Sequence, residues 1–256
     1  MYDAHIHLDK YEDGDIPASI ERWKAAGVKG VVAVSTDLPS SYKTLELKEK
    51  FPDFIKAAVG FHPEYELPAE GEILEWQTLL KKERELISAA GEIGLPYYER
   101  ERLGISSLDP YIEVFAEYVR TARAHDLPVV LHAVHETALP AFEVLQKERH
   151  FRAHFHWHKA PKEVTEKLIE AGYFISVTPE VCWRERDRML TAHVPSDRLL
   201  LETDGPWPLG GLFEGKRNSP LLLEKSAAAI AEIKNISIKE IKQVTAKNTE
   251  KIYGKQ

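Results

Sequence analysis

Short apolar runs alternate with longer amphipathic segments along the whole chain. Eight runs stand out: Tyr2–His7, Gly30–Ser35, Ile55–Phe61, Ala89–Leu95, Pro128–His132, Ala153–Trp157, Tyr173–Val177 and Leu199–Glu202. Several are apolar on both faces, as in Val31-Val32-Ala33-Val34 and Leu199-Leu200-Leu201, the pattern of parallel strands covered on both sides. Helical segments lie between them. Ser19–Ala26 ends at Gly27, Tyr42–Lys50 precedes Pro52, and Glu70–Leu86 is long and charged. Asp109-Pro110 is an N-cap with a first-turn proline for a helix reaching His125. Pro161–Ala171 ends at Gly172, and Ser219-Pro220 opens a helix to Lys234. Ser237 and Glu240 form a capping box for a last helix ending near Tyr253. Eight strands alternating with helices predict one α/β domain over residues 1–256, a (β/α)8 TIM barrel. A doubly wound open sheet is the alternative, but no glycine-rich phosphate loop follows the first strand.

Composition narrows the picture. The length of 256 residues suits such a barrel, and 43% hydrophobic with 29% charged residues is ordinary globular usage. No run approaches the ~18 apolar residues of a membrane span. The start, Met1-Tyr2-Asp3-Ala4-His5, shows no secretory signal, and the single cysteine, Cys182, fits a reducing compartment. A cytoplasmic protein is expected, with no sign of an obligate protein partner. The net charge of -7 argues against a broad electrostatic grip on duplex DNA. A local pocket for a short strand or one phosphate stays compatible with it, and bound divalent cations would offset part of the acidity.

The polar residues concentrate where such a barrel keeps its chemistry. Of the 11 histidines, His5, His7, His62, His132, His135, His154, His156 and His158 lie on or just after predicted strands. Alternation puts Asp3, His5 and His7 on one face of the first strand, and two imidazoles at that spacing can chelate one ion. An edge strand with solvated polar alternation is the other reading. Glu92 is a lone carboxylate amid small and apolar residues, so it is paired with a cation or binds metal. His132 ends an apolar strand. His154, His156 and His158 share a face, of which one or two can reach a common ion. The last run continues Glu202-Thr203-Asp204-Gly205-Pro206, so a carboxylate follows a hydrophobic strand at the catalytic end. Nitrogen and carboxylate ligands together suit Zn, Mn, Fe or Co, with Mg less natural.

These residues resemble the TatD family of metal-dependent deoxyribonucleases, within the amidohydrolase-type barrels. The matching segments are Asp3-Ala4-His5-Ile6-His7, Gly60-Phe61-His62-Pro63, Gly91-Glu92-Ile93-Gly94-Leu95, His132, His156, Glu202-Thr203-Asp204-Gly205-Pro206, Arg217-Asn218-Ser219-Pro220 and Asn248, spanning nearly the full chain. The resemblance implies a site for two divalent ions: His5, His7, Glu92 and Asp204 for one, and Glu92, His132 and His156 for the other, with Glu92 bridging. It gives Asp204 the task of orienting or deprotonating the attacking water. The chain departs from the family at Pro96, where aspartate is usual, at Val134, where arginine is usual, and at His156-Trp157-His158-Lys159-Ala160, in place of His-Cys-Phe-Ser-Gly.

The departures lie where substrate approaches. His135, His158 and Lys159 are candidates to replace the lost phosphate contacts. His62 and Arg217 are further candidates for substrate binding, set against a turn-stabilising histidine and a surface ion pair. Trp207 can stack on a base or pack in a loop, and Arg184, Arg186 and Arg188 read as a solvated helix face. The expected function is hydrolysis of DNA at single-stranded 3′ ends through a metal-activated water. Hydrolysis of a small amide, lactone or phosphoester is the alternative, followed by a binding protein without catalysis.

Overall fold

The computed structural model describes residues 1–254. Its eight strands are β1 (Tyr2–Ile6), β2 (Gly30–Ala33), β3 (Ile55–Val59), β4 (Ile87–Gly94), β5 (Val129–His132), β6 (Ala153–Phe155), β7 (Phe174–Val177) and β8 (Leu199–Leu201). All neighbours pair in parallel in the order β1 to β8. The ring closes beyond the last strand: Asp204 N donates to His5 O at 3.0 Å and His7 N to Gly205 O at 2.8 Å. Asp3 fastens the same seam. Fully buried, it accepts from the backbone N–H and hydroxyl of Thr203. The expected TIM barrel is the fold observed.

Nine helices surround it among the described residues: α1 (Ile16–Ala25), α2 (Leu38–Lys50), α3 (Glu70–Lys82), α4 (Asp109–Ala124), α5 (Ala138–Lys147), α6 (Lys162–Glu170), α7 (Glu185–His193), α8 (Leu223–Lys234) and α9 (Ile238–Tyr253). The main core packs helix residues such as Trp76, Phe115 and Ile230 against outward strand residues such as Leu131 and Ile175. The lower interior holds Ala4, Val32, Ala58, Ala89, Val130 and Leu200, and Ile252 and Tyr253 of α9 join it. The expected capping box opens α9, with Ser237 and Glu240 exchanging side-chain and backbone bonds. No helix among the described residues is long and apolar enough to cross a membrane.

Some boundaries differ from expectation. α4 starts with Asp109 as its first helical residue rather than as N-cap, and Ser107 Oγ accepts from Asp109 N instead. α3 stops at Lys82 because a turn at Glu83 starts the descent into β4. α5 matches no predicted segment. Its Pro140 sits in the first turn, where its missing N–H costs nothing. The arginine-rich helix face is not simply solvated: Asp187 is buried, Arg186 pairs with it at 2.8 Å, and Arg184 pairs with buried Glu180 at 2.8 Å.

One glycine matters for the site. Gly94 has φ of +150, and a Cβ there would fall 1.9 Å from the carbonyl oxygen of His132. Only glycine lets β4 and β5 approach this closely, and these two strands carry Glu92 and His132.

Candidate metal centre and active site

Glu92 is fully buried at the centre of a ring of imidazoles. Its Oε2 lies 3.1 Å from His5 Nε2 and 3.5 Å from His7 Nε2. Asp204 Oδ1 completes this group at 3.5 Å from His5 Nε2 and 3.3 Å from His7 Nε2. Four donors tetrahedrally placed about an ion at ~2.0–2.1 Å are separated by about 3.3–3.4 Å. The four separations, 3.1–3.5 Å, bracket that spacing. His5 Nε2, Glu92 Oε2 and Asp204 Oδ1 are moreover buried with no hydrogen-bond partner among the described residues. Buried polar atoms are ordinarily satisfied, so three orphans converging on one point fit a cation.

The other oxygen, Oε1, faces a second group. It lies 2.7 Å from His156 Nε2, 3.1 Å from His132 Nδ1 and 3.4 Å from His62 Nε2, and His132 Nδ1 is 3.2 Å from His156 Nε2. Burial alone would raise the Glu92 carboxyl, but His156, His62 and His5 beside it, with the bond to His132, hold it well below the usual range. Each lone pair is thus ready for a metal without a proton to displace from the carboxylate.

The surroundings select tautomers. His132 Nε2 lies 2.9 Å from Glu64 Oε1, so Nε2–H donates there and the Nδ1 lone pair faces Glu92. Glu64 also accepts from the backbone N–H groups of Tyr97, Tyr98 and Glu99. Although burial opposes it, the bonds to His132 and these amides hold Glu64 down at about 2. Glu202 supports His156 from below. It faces His156 Nδ1 at 3.7 Å, and it accepts from Trp157 N at 2.6 Å and Ser176 Oγ at 2.7 Å. Ser176 in turn contacts His154 Nε2 at 2.6 Å, and His154 Nδ1 meets the Tyr253 hydroxyl at 2.7 Å. Burial pushes His154 down to about 3, so it is a neutral link in this chain rather than a ligand.

Neither Glu64 nor the relay through Ser176 and Tyr253 was among the candidate residues. Glu64 follows His62-Pro63, but Glu66 two residues on looks the same in sequence. If Glu64 tunes His132, Glu64→Gln weakens divalent-ion binding by about 10–100-fold. Calorimetric titration of metal-stripped protein measures this; an unchanged affinity would mean that Glu64 only shapes the turn.

The four remaining candidates part company. His62 lines the cavity beside the centre, with Nδ1 accepting from Glu64 N at 3.2 Å. Its neutral form therefore carries the proton on Nε2, which suits a donor more than a metal ligand. His158 is buried elsewhere. Its Nε2 meets Thr165 Oγ1 at 2.9 Å, and it lines a separate cavity between α6 and α7. The chain leaves β6 after Phe155 and turns at Trp157, whose φ is +36, so strand alternation no longer applies at His158. His135 packs tilted against Tyr97 at 4.5 Å between centroids and is absent from the cavity lining. Arg217 pairs with Asp15 at 2.7 Å on the surface and lies over the Tyr11 ring. Trp207 is neither core nor buried loop; it is 51% exposed at the cavity rim, edge-on to His7.

A profile of the family described as TatD related DNase matches residues 2–254. The chain belongs to the TatD family. A Haemophilus influenzae protein named as an uncharacterized metal-dependent hydrolase is 34% identical over 99% of both chains. A human protein named deoxyribonuclease TATDN3 is 27% identical over 100% of this chain and 95% of its own. The crystal structure of an Escherichia coli TatD homologue superposes with a TM-score of 0.90 at 27% identity, covering 100% of this chain and 98% of that one. The buried histidine and carboxylate cluster is thus the candidate centre of a TatD-family hydrolase.

Proposed function

We propose that this TatD-family hydrolase cleaves phosphodiester bonds of DNA, working from single-stranded 3′ ends with two divalent ions. The observation that carries the reading is Glu92, whose two oxygens each complete a separate group of donors on the floor of one cavity. His5, His7, Glu92 and Asp204 would hold one ion, and Glu92, His132 and His156 the other. Ions so held would supply Lewis acidity to acidify a water and neutralise charge on phosphoryl oxygens.

The protein's own groups do the rest. Asp204 commits Oδ1 to the first group, leaving its second oxygen to take the proton of the attacking water. The new bond would join water oxygen to phosphorus, the P–O3′ bond would break, and the proton taken up by Asp204 would pass to the leaving O3′. His62, whose Nδ1 accepts from Glu64 N and whose Nε2 lies 3.4 Å from Glu92 Oε1, would offer its Nε2–H to a phosphoryl oxygen arriving beside Glu92. The cavity, about 650 Å³, is lined by Tyr65, Tyr98 and Trp207, faces on which unpaired bases can stack. A pocket of this size, in a chain of net charge -7, suits a strand end better than a duplex.

A small ester, amide or lactone is the second reading. It is favoured by Val134, a buried apolar residue on the cavity wall where the family usually carries arginine. Single-stranded DNA labelled at one end or the other, incubated with metal-stripped protein and graded Mn, Mg or Zn, separates the two. Metal-dependent shortening from the 3′ end, lost in Asp204→Asn, is the expected result. Metal-loaded protein that leaves DNA intact but turns over a small ester or lactone would establish the second reading instead.

A further inference from the structure

Lys159 stands out among the cavity's cations. Arg102 also lines the cavity but is paired with Glu99. Lys159 has no carboxylate within ion-pair distance among the described residues. Its ammonium lies 3.7 Å from the centroid of the Trp157 ring and donates to the Tyr98 hydroxyl at 2.8 Å. Both partners line the same cavity as Glu92, His156 and Asp204. Burial, and Arg186 after it, push the Lys159 amine down to about 8. The indole Nε1 of Trp157 is also buried and without an acceptor among the described residues. An ammonium and an N–H donor, both lacking an anion, therefore adjoin a cluster built for phosphoryl chemistry.

The position of Lys159 says which anion. It makes no hydrogen bond to Glu92, His156 or Asp204; its partners are Tyr98 and Trp157, on the wall of the cavity they share with that cluster. It also lines the neighbouring cavity between α6 and α7, together with Lys162 and Arg186. Lys162 and Arg186 are paired with Glu166 and Asp187 respectively. A group held at the centre would place its next charged neighbour, rather than its reacting atom, toward Lys159.

We propose that Lys159 is a specificity-determining residue that binds the phosphate next to the scissile one, so that the enzyme prefers substrates with at least two successive phosphates. This rests on the phosphodiester reading above. Trp157 and Tyr98 fix the ammonium before substrate arrives, which lowers the ordering cost of binding. A charge-assisted contact of this kind corresponds to roughly tenfold or more in affinity.

The test compares the thymidine dinucleotide, with one phosphate, and the trinucleotide, with two, both without terminal phosphates. Wild type, Lys159→Met and Lys159→Arg are assayed with Mn. Lys159→Met is expected to reduce kcat/KM for the trinucleotide about tenfold more than for the dinucleotide, chiefly through KM, and Lys159→Arg to restore most of the preference. Equal losses on both substrates, or a loss confined to kcat, would overturn the assignment while leaving the phosphodiesterase reading intact. Wild-type protein that binds Mn and cleaves neither substrate would overturn both.

Discussion

Glu92→Gln is expected to lower DNA hydrolysis by on the order of a thousandfold or more and to remove the second bound ion. The amide keeps the shape of the side chain but loses the charge and one acceptor. Oxygens Oε1 and Oε2 serve different donor groups, so one substitution damages both. In the wild type, burial of this carboxylate is offset by His5, His62, His132 and His156. The neutral amide removes that offset, so the histidines around it lose their attraction for protons as well. Single-turnover cleavage of labelled DNA, with metal content measured on the same samples, checks the prediction. A variant that keeps both ions and more than about a tenth of the activity would remove Glu92 from the centre.

The second large effect concerns stability in acid. Burial opposes ionisation of Glu202, but His156, His5 and His154 beside it, and chiefly the interaction with His156, bring its carboxyl from 4.5 down to about 2. A carboxyl depressed by folding contributes stability that is present above its unfolded value. That contribution is lost as the pH falls through its folded value. For Glu202 the window runs from about 4.5 down to about 2, and the contribution is on the order of 3 kcal/mol. Metal-free Glu202→Gln is therefore expected to be less stable than wild type at pH 6, with the gap closing as the pH falls through that window. Urea unfolding followed by circular dichroism across pH 2–6 measures it. A gap that stays constant with pH would assign the loss to packing around Trp157 and Ser176 rather than to the charge.

The legible parts of the molecule share a physical cause. Parallel strands in a barrel are buried on both faces, so runs such as Val31-Val32-Ala33-Val34 announce themselves. Buried charge is expensive, so Glu92 amid alanine, glycine and isoleucine stands out as a candidate from one residue. His5, His7, His132, His156 and Asp204 lie at strand ends, and the fold brings all five around Glu92. Residues that act through backbone geometry were not legible. Strand alternation placed His158 with His156, but the turn at Trp157 carries it to Thr165 and away from the centre. Glu64 reaches His132 across 68 residues of chain, and Tyr253 reaches His154 across 99; no local pattern encodes such contacts. Arg217 matched a motif, yet its pairing with Asp15 depends on where two distant loops meet.

The account's central claim is a centre in which one carboxylate serves two ions. Its most direct test is calorimetric titration of metal-stripped protein with Mn, comparing wild type with the double variants His5→Ala/His7→Ala and His132→Ala/His156→Ala. Two ions per chain are expected in the wild type, with a different one lost in each variant. One ion in the wild type, abolished by either pair of substitutions, would contradict the claim.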